Sequence, residues 1–172
     1  GTGKTLAFGI PLIQRLAQTR GMGLVIVPTR ELALQADETF QRLGQPIGLR
    51  TAVLIGGASM YNQIKQIKQM PHVIIATPGR LIDHLDQKTV RLQHVSILIL
   101  DEADRMLDMG FAPQIKRILQ TVPGERQTML FSATMPKEIV KIASAYMRLP
   151  VRVEIAPAGT KAEKVSQEVY VV

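Results

Sequence analysis

Two hydrophobic patterns alternate along the chain. Short, near-continuous runs of Val, Ile and Leu fall at residues 24–27, 51–55, 73–76, 97–100, 128–131 and 151–155. Unbroken apolar runs are what strands look like when helices cover both faces of a parallel sheet, because neither face meets water. Between the runs, apolar residues recur at helical spacing: Leu6, Ile10, Ile13, Leu16 and Ala17; then Met60, Ile64 and Ile67; then Ile139, Ile142, Ala143 and Tyr146. The alternation predicts an α/β fold with a mostly parallel sheet and helices on both faces. Periodicity gives way to Pro, Gly and charge from residue 156 (APAGTKAEK). Residues 1–155 therefore read as one domain, and 156–172 as a linker and strand leading to a further one.

Composition narrows the chemistry. With 46% apolar and 20% charged residues in 172, disorder is excluded and a single core is expected. The absence of cysteine removes disulfides, thiolate catalysis and Cys-based metal sites. His72, His84 and His94 lack the short spacing of a His-based site, so any metal should be held by oxygen. A net charge of +7 permits a polyanionic partner. No run is long and apolar enough to cross a membrane, and the first residues lack the plan of a signal peptide, so a cytoplasmic address is expected.

Ligands of open parallel sheets bind at the carboxyl ends of the strands. Directly after the runs come Pro28, Thr29, Arg30 and Glu31; Gly56 and Gly57; Thr77, Pro78, Gly79 and Arg80; Asp101, Glu102, Ala103 and Asp104; and Ser132, Ala133 and Thr134. Five polar loops should thus share one edge of the sheet. Gly1, Thr2, Gly3, Lys4 and Thr5 lead into the first helix as the second half of a phosphate loop would. Glycine lets backbone N–H groups approach phosphate oxygens, Lys4 would reach the β- and γ-phosphates, and the Thr5 hydroxyl would ligate Mg²⁺. A chance Gly-Lys-Thr before a helix is the alternative. Asp101, at the tip of an apolar strand, would hold Mg²⁺ directly or through water, and Glu102 would orient and deprotonate the attacking water. Against this stands a simple helix cap with a dipole-stabilising acid.

Thr77 and Pro78 suit a helix N-terminus, and the same start offers free N–H groups and Arg80 to an anion such as an RNA phosphate. Thr29 and Arg30 repeat the arrangement, and with Gly56 and Gly57 they suggest a groove that tracks a nucleic-acid backbone. No aromatic is interleaved with these loops, which favours phosphates over bases and little sequence specificity. Met106, Met109 and Met129 read as core filler, and Lys65 and Lys68 as a solvated helix face.

In chain order, GTGKT, PTRELA, GG, TPGR, DEAD and SAT resemble motifs I, Ia, GG, Ib, II and III of the DEAD-box RNA helicases, with the flavour of the bacterial RhlE-type branch. The resemblance covers essentially the whole chain. It implies a first RecA-like P-loop NTPase domain, truncated before its first strand, that binds ATP, Mg²⁺ and half of an RNA path. By resemblance, Gly1, Thr2, Gly3, Lys4 and Thr5 would bind the triphosphate. Ser132, Ala133 and Thr134 would couple nucleotide state to RNA, partly through Asp104. Pro28, Thr29, Arg30, Gly56, Gly57, Thr77, Pro78, Gly79 and Arg80 would hold the RNA backbone. A second RecA-like domain would carry the arginine finger, and ATP would close the two over a bent strand to open a duplex locally.

Two other readings remain beside it. A small GTPase or kinase would need a guanine-reading Asn-Lys-x-Asp, which is absent, and would leave Thr77 to Arg80 without a role. An ATP-switched RNA clamp or annealing scaffold with little unwinding would share every motif. The resemblance further implies a strand preceding Gly1, expected mid-sheet beside the one leading to Asp101. Without it these residues alone are expected to be poorly folded and inactive.

Overall fold

The computed structural model describes residues 2–154. Gly1 and the expected linker and strand of residues 156–172 lie outside the described residues. In chain order the elements are α1 (Thr2–Gln18), β1 (Met22–Ile26), α2 (Arg30–Gly44), β2 (Thr51–Leu54), α3 (Met60–Lys68), β3 (Val73–Ala76), α4 (Pro78–Asp86), β4 (Val95–Leu100), α5 (Ala103–Asp108), α6 (Ala112–Thr121), β5 (Gln127–Leu130) and α7 (Lys137–Tyr146). The strands form one sheet in the order β2-β3-β1-β4-β5. Every pairing is parallel, so all five carboxyl ends share one edge.

Successive strand residues point to opposite faces. Leu24, Ile26, Leu98 and Leu100 therefore join a core under α4, α5, α6 and α7 that includes Leu81, Met106, Ile115 and Ile142. Val25, Val27, Ile97 and Ile99 join a second core under α1 and α2, with Phe8, Leu12, Ala36 and Phe40. The unbroken runs in the sequence are the trace of these two covered faces.

Four expectations are corrected. On α1 the buried residues are Phe8 and Leu12, whereas Leu6 and Ile10 are 40% and 44% exposed. That helix is apolar around much of its circumference, so spacing alone does not choose the face. Phe8 decides it, with rings of Phe131 and Phe40 at 5.5 and 6.3 Å. Residues 151–154 form no strand, and Val151 and Val153 are exposed, because no sheet edge pairs with them. Met109 is exposed at the end of α5 rather than packed in the core, while Met106 is fully buried. Finally, β4 already has β1 on one side and β5 on the other, so no further strand fits beside the one leading to Asp101. Among the described residues the edge strands are β2 and β5, so a further strand would pair there rather than beside β4.

Candidate functional site

The carboxyl edge is held in register one residue beyond the strands. Val27 N–H donates to the Ala76 carbonyl, Thr77 N–H to Leu54, Asp101 N–H to Ile26 and Phe131 N–H to Leu100, at 2.8–3.0 Å. Each loop therefore leaves the sheet from a fixed point, which brings the five sequence-predicted loops together.

Asp101 is 7% exposed at the end of the central run VSILIL. Burial pushes its carboxyl above the ordinary range, against the pull of the Lys4 ammonium and of the Glu102 N–H, which donates to Oδ1 at 3.0 Å. A buried carboxylate in this setting gains from a cation. Lys4 and Thr5 lie in the first turn of α1 itself, one step further into the helix than a preceding loop would put them. First-turn N–H groups have no intrahelical partner, so this turn presents donors and Lys4 toward the acid loop.

Glu102 takes the left-handed conformation, φ 54° and ψ 50°, at the start of α5, an arrangement that costs a non-glycine residue about 1 kcal/mol or more. Its side chain makes no capping hydrogen bond, so the simple cap reading fails for it. Instead Glu102 accepts from Arg105 Nη1 at 3.0 Å. Asp104 is bound from the next loop. Thr134 donates to Oδ2 through both its N–H and its hydroxyl at 2.9 Å, and Ser132 Oγ accepts from the Asp104 N–H at 3.1 Å. Burial pushes the Asp104 carboxyl up, yet the hydrogen bonds from Thr134, with one from the Arg105 N–H to Oδ1 at 3.0 Å, outweigh it and hold the group below its ordinary value. Ala133, between the two, is exposed. The Ala103 N–H completes the tie by donating to the Phe131 carbonyl at 3.0 Å.

The second half of the edge is basic and rich in unpaired donors. Thr29 caps α2, its hydroxyl accepting from the Leu32 N–H at 3.3 Å, and Pro28 is buried beneath it. Arg30 reaches across to the glycine pair. A Cβ at Gly57 would fall 2.0 Å from Arg30 Nη1 and push that side chain aside, and at φ 72° any other residue is strained, so the position favours glycine. Among the described residues, the N–H groups of Gly56, Gly57 and Ala58 donate to no acceptor. Thr77 is the N-cap of α4 and Pro78 its first residue, but the Thr77 hydroxyl makes no capping bond, leaving the Gly79 and Arg80 N–H groups open. Arg80 is turned partly inward. Its side chain is 14% exposed, Nη1 donates to the Ala58 carbonyl at 3.0 Å, and Nε lies 3.5 Å from Asp83.

Four contributors were not visible as site residues in the sequence. Phe8 and Phe131 seat the start of α1 against the acid loops, and their signal was only aromaticity near two motifs. Gln63 and His84 are buried polar residues on α3 and α4, which neither the apolar spacing nor a motif had marked. Tyr61, in the first turn of α3, is 77% exposed.

The DEAD/DEAH box helicase family matches residues 1–142. The chain is 45% identical over its whole length to the ATP-dependent rRNA helicase RRP3 of Debaryomyces hansenii, covering 37% of that protein. It is 48% identical over 90% of its length to the DEAD-box ATP-dependent RNA helicase CshA of Bacillus licheniformis, covering 32% of it. Near-equal identity to a yeast and a bacterial protein does not single out a bacterial branch. Two solved structures share the fold over 86% of this chain: a hypothetical ATP-dependent RNA helicase from Sulfolobus tokodaii (TM-score 0.78, 38% identity, 43% of that chain) and the yeast DEAD-box splicing factor Prp28 (TM-score 0.81, 33% identity, 38% of that chain). The chain thus spans about a third of the length of the curated relatives it matches, and by its fold, its ordered motifs and these likenesses it belongs to the DEAD/DEAH box helicase family.

Proposed function

We infer that the chain is the ATP- and RNA-binding part of an ATP-dependent RNA helicase that remodels duplexes locally and with little sequence preference. The observation that carries this reading is the division of one sheet edge. Asp101, Glu102 and Lys4 occupy one half, and three loops with free N–H groups and Arg30 occupy the other. The Asp104 ties to Ser132 and Thr134 are a physical link between loops that follow neighbouring strands.

ATP enters as substrate. The first turn of α1 (Thr2, Gly3, Lys4 and Thr5, with Gly1 before it) would cradle its phosphates. Mg²⁺ fits the residues present: Asp101 keeps one oxygen free of protein donors among the described residues, and Thr5 supplies a hydroxyl. No cluster of three or more ligating side chains occurs among the described residues, so phosphate oxygens and water would complete the coordination, as Mg²⁺ prefers. When bound, the ion would neutralise charge developing on the transferred phosphoryl group. Glu102 would take the proton of the attacking water, for which its carboxylate must be drawn from Arg105. Pro28, Thr29, Arg30, Gly56, Gly57, Thr77, Pro78, Gly79 and Arg80 form the surface offered to an RNA backbone. A further RecA-like domain closing over this edge, and a cytoplasmic address, complete the proposal.

The test is strand separation by the full-length protein on a short RNA duplex. Release that requires ATP and Mg²⁺ is expected. RNA retention without strand separation would replace the helicase reading with an ATP-switched clamp.

A further inference from the structure

Beneath the basic half of the edge lies a buried polar chain that the catalytic scheme does not use. His84, on α4, is 0% exposed and Gln63, on α3, nearly so. Gln63 Nε2 donates to the Ile55 carbonyl at 2.9 Å and approaches the Ala58 carbonyl at 3.5 Å. With its nitrogen committed there, Gln63 Oε1 faces His84 Nε2 at 3.0 Å and must accept, which assigns the proton to Nε2. With the proton on Nε2, His84 Nδ1 is an acceptor 2.8 Å from the Thr89 hydroxyl, whose single proton it shares with the His84 carbonyl at 3.1 Å. The chain runs from the body of α4 to the two residues that flank Gly56 and Gly57.

This route fixes which atoms the glycine loop shows to its ligand. Gln63 binds the carbonyls of Ile55 and Ala58 from the inside, and Arg80 binds the Ala58 carbonyl as well. With those oxygens drawn inward, the free N–H groups of Gly56, Gly57 and Ala58 are left for the outer side, as an anion requires. The same chain locks the loop to the helix that begins with Thr77, Pro78, Gly79 and Arg80, so two phosphate-facing elements keep one spacing.

We propose that Gln63 and His84 are positioning residues for RNA: a buried pair that orients the glycine loop and sets its distance from the start of α4. The proposal rests on the RNA-binding reading above. Its chemistry separates positioning from plain stability. Removing one partner strands a buried polar group, whereas replacing both by apolar residues of similar size is close to neutral for folding. Gln63→Leu should therefore lower both thermal stability and RNA affinity. The double variant Gln63→Leu/His84→Leu removes the stranded imidazole but still leaves the Ile55 carbonyl without its donor, so it should recover part of the stability lost in Gln63→Leu while RNA affinity stays weakened.

The experiment measures melting temperature, affinity for a fluorescent single-stranded oligouridine and affinity for ATP without RNA, all in the full-length protein. Expected are RNA binding weakened about tenfold in both variants, about the cost of ordering one or two further side chains on binding, unchanged ATP affinity, and a melting temperature higher in the double variant than in Gln63→Leu. Recovery of RNA affinity together with stability, or wild-type RNA affinity in either variant, would overturn the proposal. Failure of the wild-type protein to bind the oligomer would instead defeat the RNA reading itself.

Discussion

At the scale of single residues, two side chains on one short loop suit different tasks because their surroundings differ. Asp101 is buried and close enough to Lys4 to feel its charge, which suits a group that meets a cation. Glu102, held by Arg105 and more open to solvent, suits proton transfer from water. Glu102→Gln should keep nucleotide binding while lowering turnover by about 10²-fold or more. Lys4→Ala should weaken nucleotide binding itself. Steady-state ATP hydrolysis beside nucleotide titration reads both effects, and a wild-type rate for Glu102→Gln would remove it from the proton-transfer role. Gly57 offers a second check of atomic placement. A Cβ there collides with Arg30, so Gly57→Ala should weaken RNA binding much as Arg30→Ala does and flatten its salt dependence by about one phosphate contact. Combining the two should cost little more than either alone. Fully additive losses in filter binding across a salt series would show that the pair does not act together.

Elements convert such contacts into a shared edge. Strands β1, β3 and β4 were legible because they are covered on both faces and so unbroken in sequence, while β2 and β5, at the ends of the sheet, are only partly buried and showed as shorter apolar runs. The carboxyl ends of the five strands named five loops of the site. What the sequence did not reveal lies between elements. Whether α1 buries Leu6 or Phe8 depends on Phe40 and Phe131, distant in the chain. The buried role of Gln63 depends on His84 facing it across two helices, and no spacing rule connects them. A neighbour for β4 likewise follows from pairing order, which the apolar runs do not encode. The α3–α4 contact also carries a pH signature. Burial, with the Arg80 charge and against Asp83, lowers the pKa of His84 from its usual 6.5. The folded protein then binds that proton less well than the unfolded chain. Its stabilisation is complete above about 6.5 and is lost as pH falls through the lower folded-state value. Melting temperature should fall more between about pH 7 and about pH 5 in the wild type than in Gln63→Leu/His84→Leu. Parallel falls would place the sensitivity elsewhere.

The whole molecule reads as a platform whose two halves are joined by backbone register and by the Asp104 ties. Its charge of +7 suits association with a polyanion, while the acid loop around buried Asp101 would serve the proposed phosphate chemistry. The central claim is that these halves work as one site, so that RNA on the basic loops alters chemistry at Glu102. The most direct measurement is the ATP turnover of the full-length protein as single-stranded RNA is titrated in. Turnover should rise saturably with RNA, and Ser132→Ala/Thr134→Val, which removes the hydroxyl contacts to Asp104, should blunt that rise while ATP affinity without RNA is kept. An ATP hydrolysis rate indifferent to RNA, or stimulation untouched in that variant, would contradict the account.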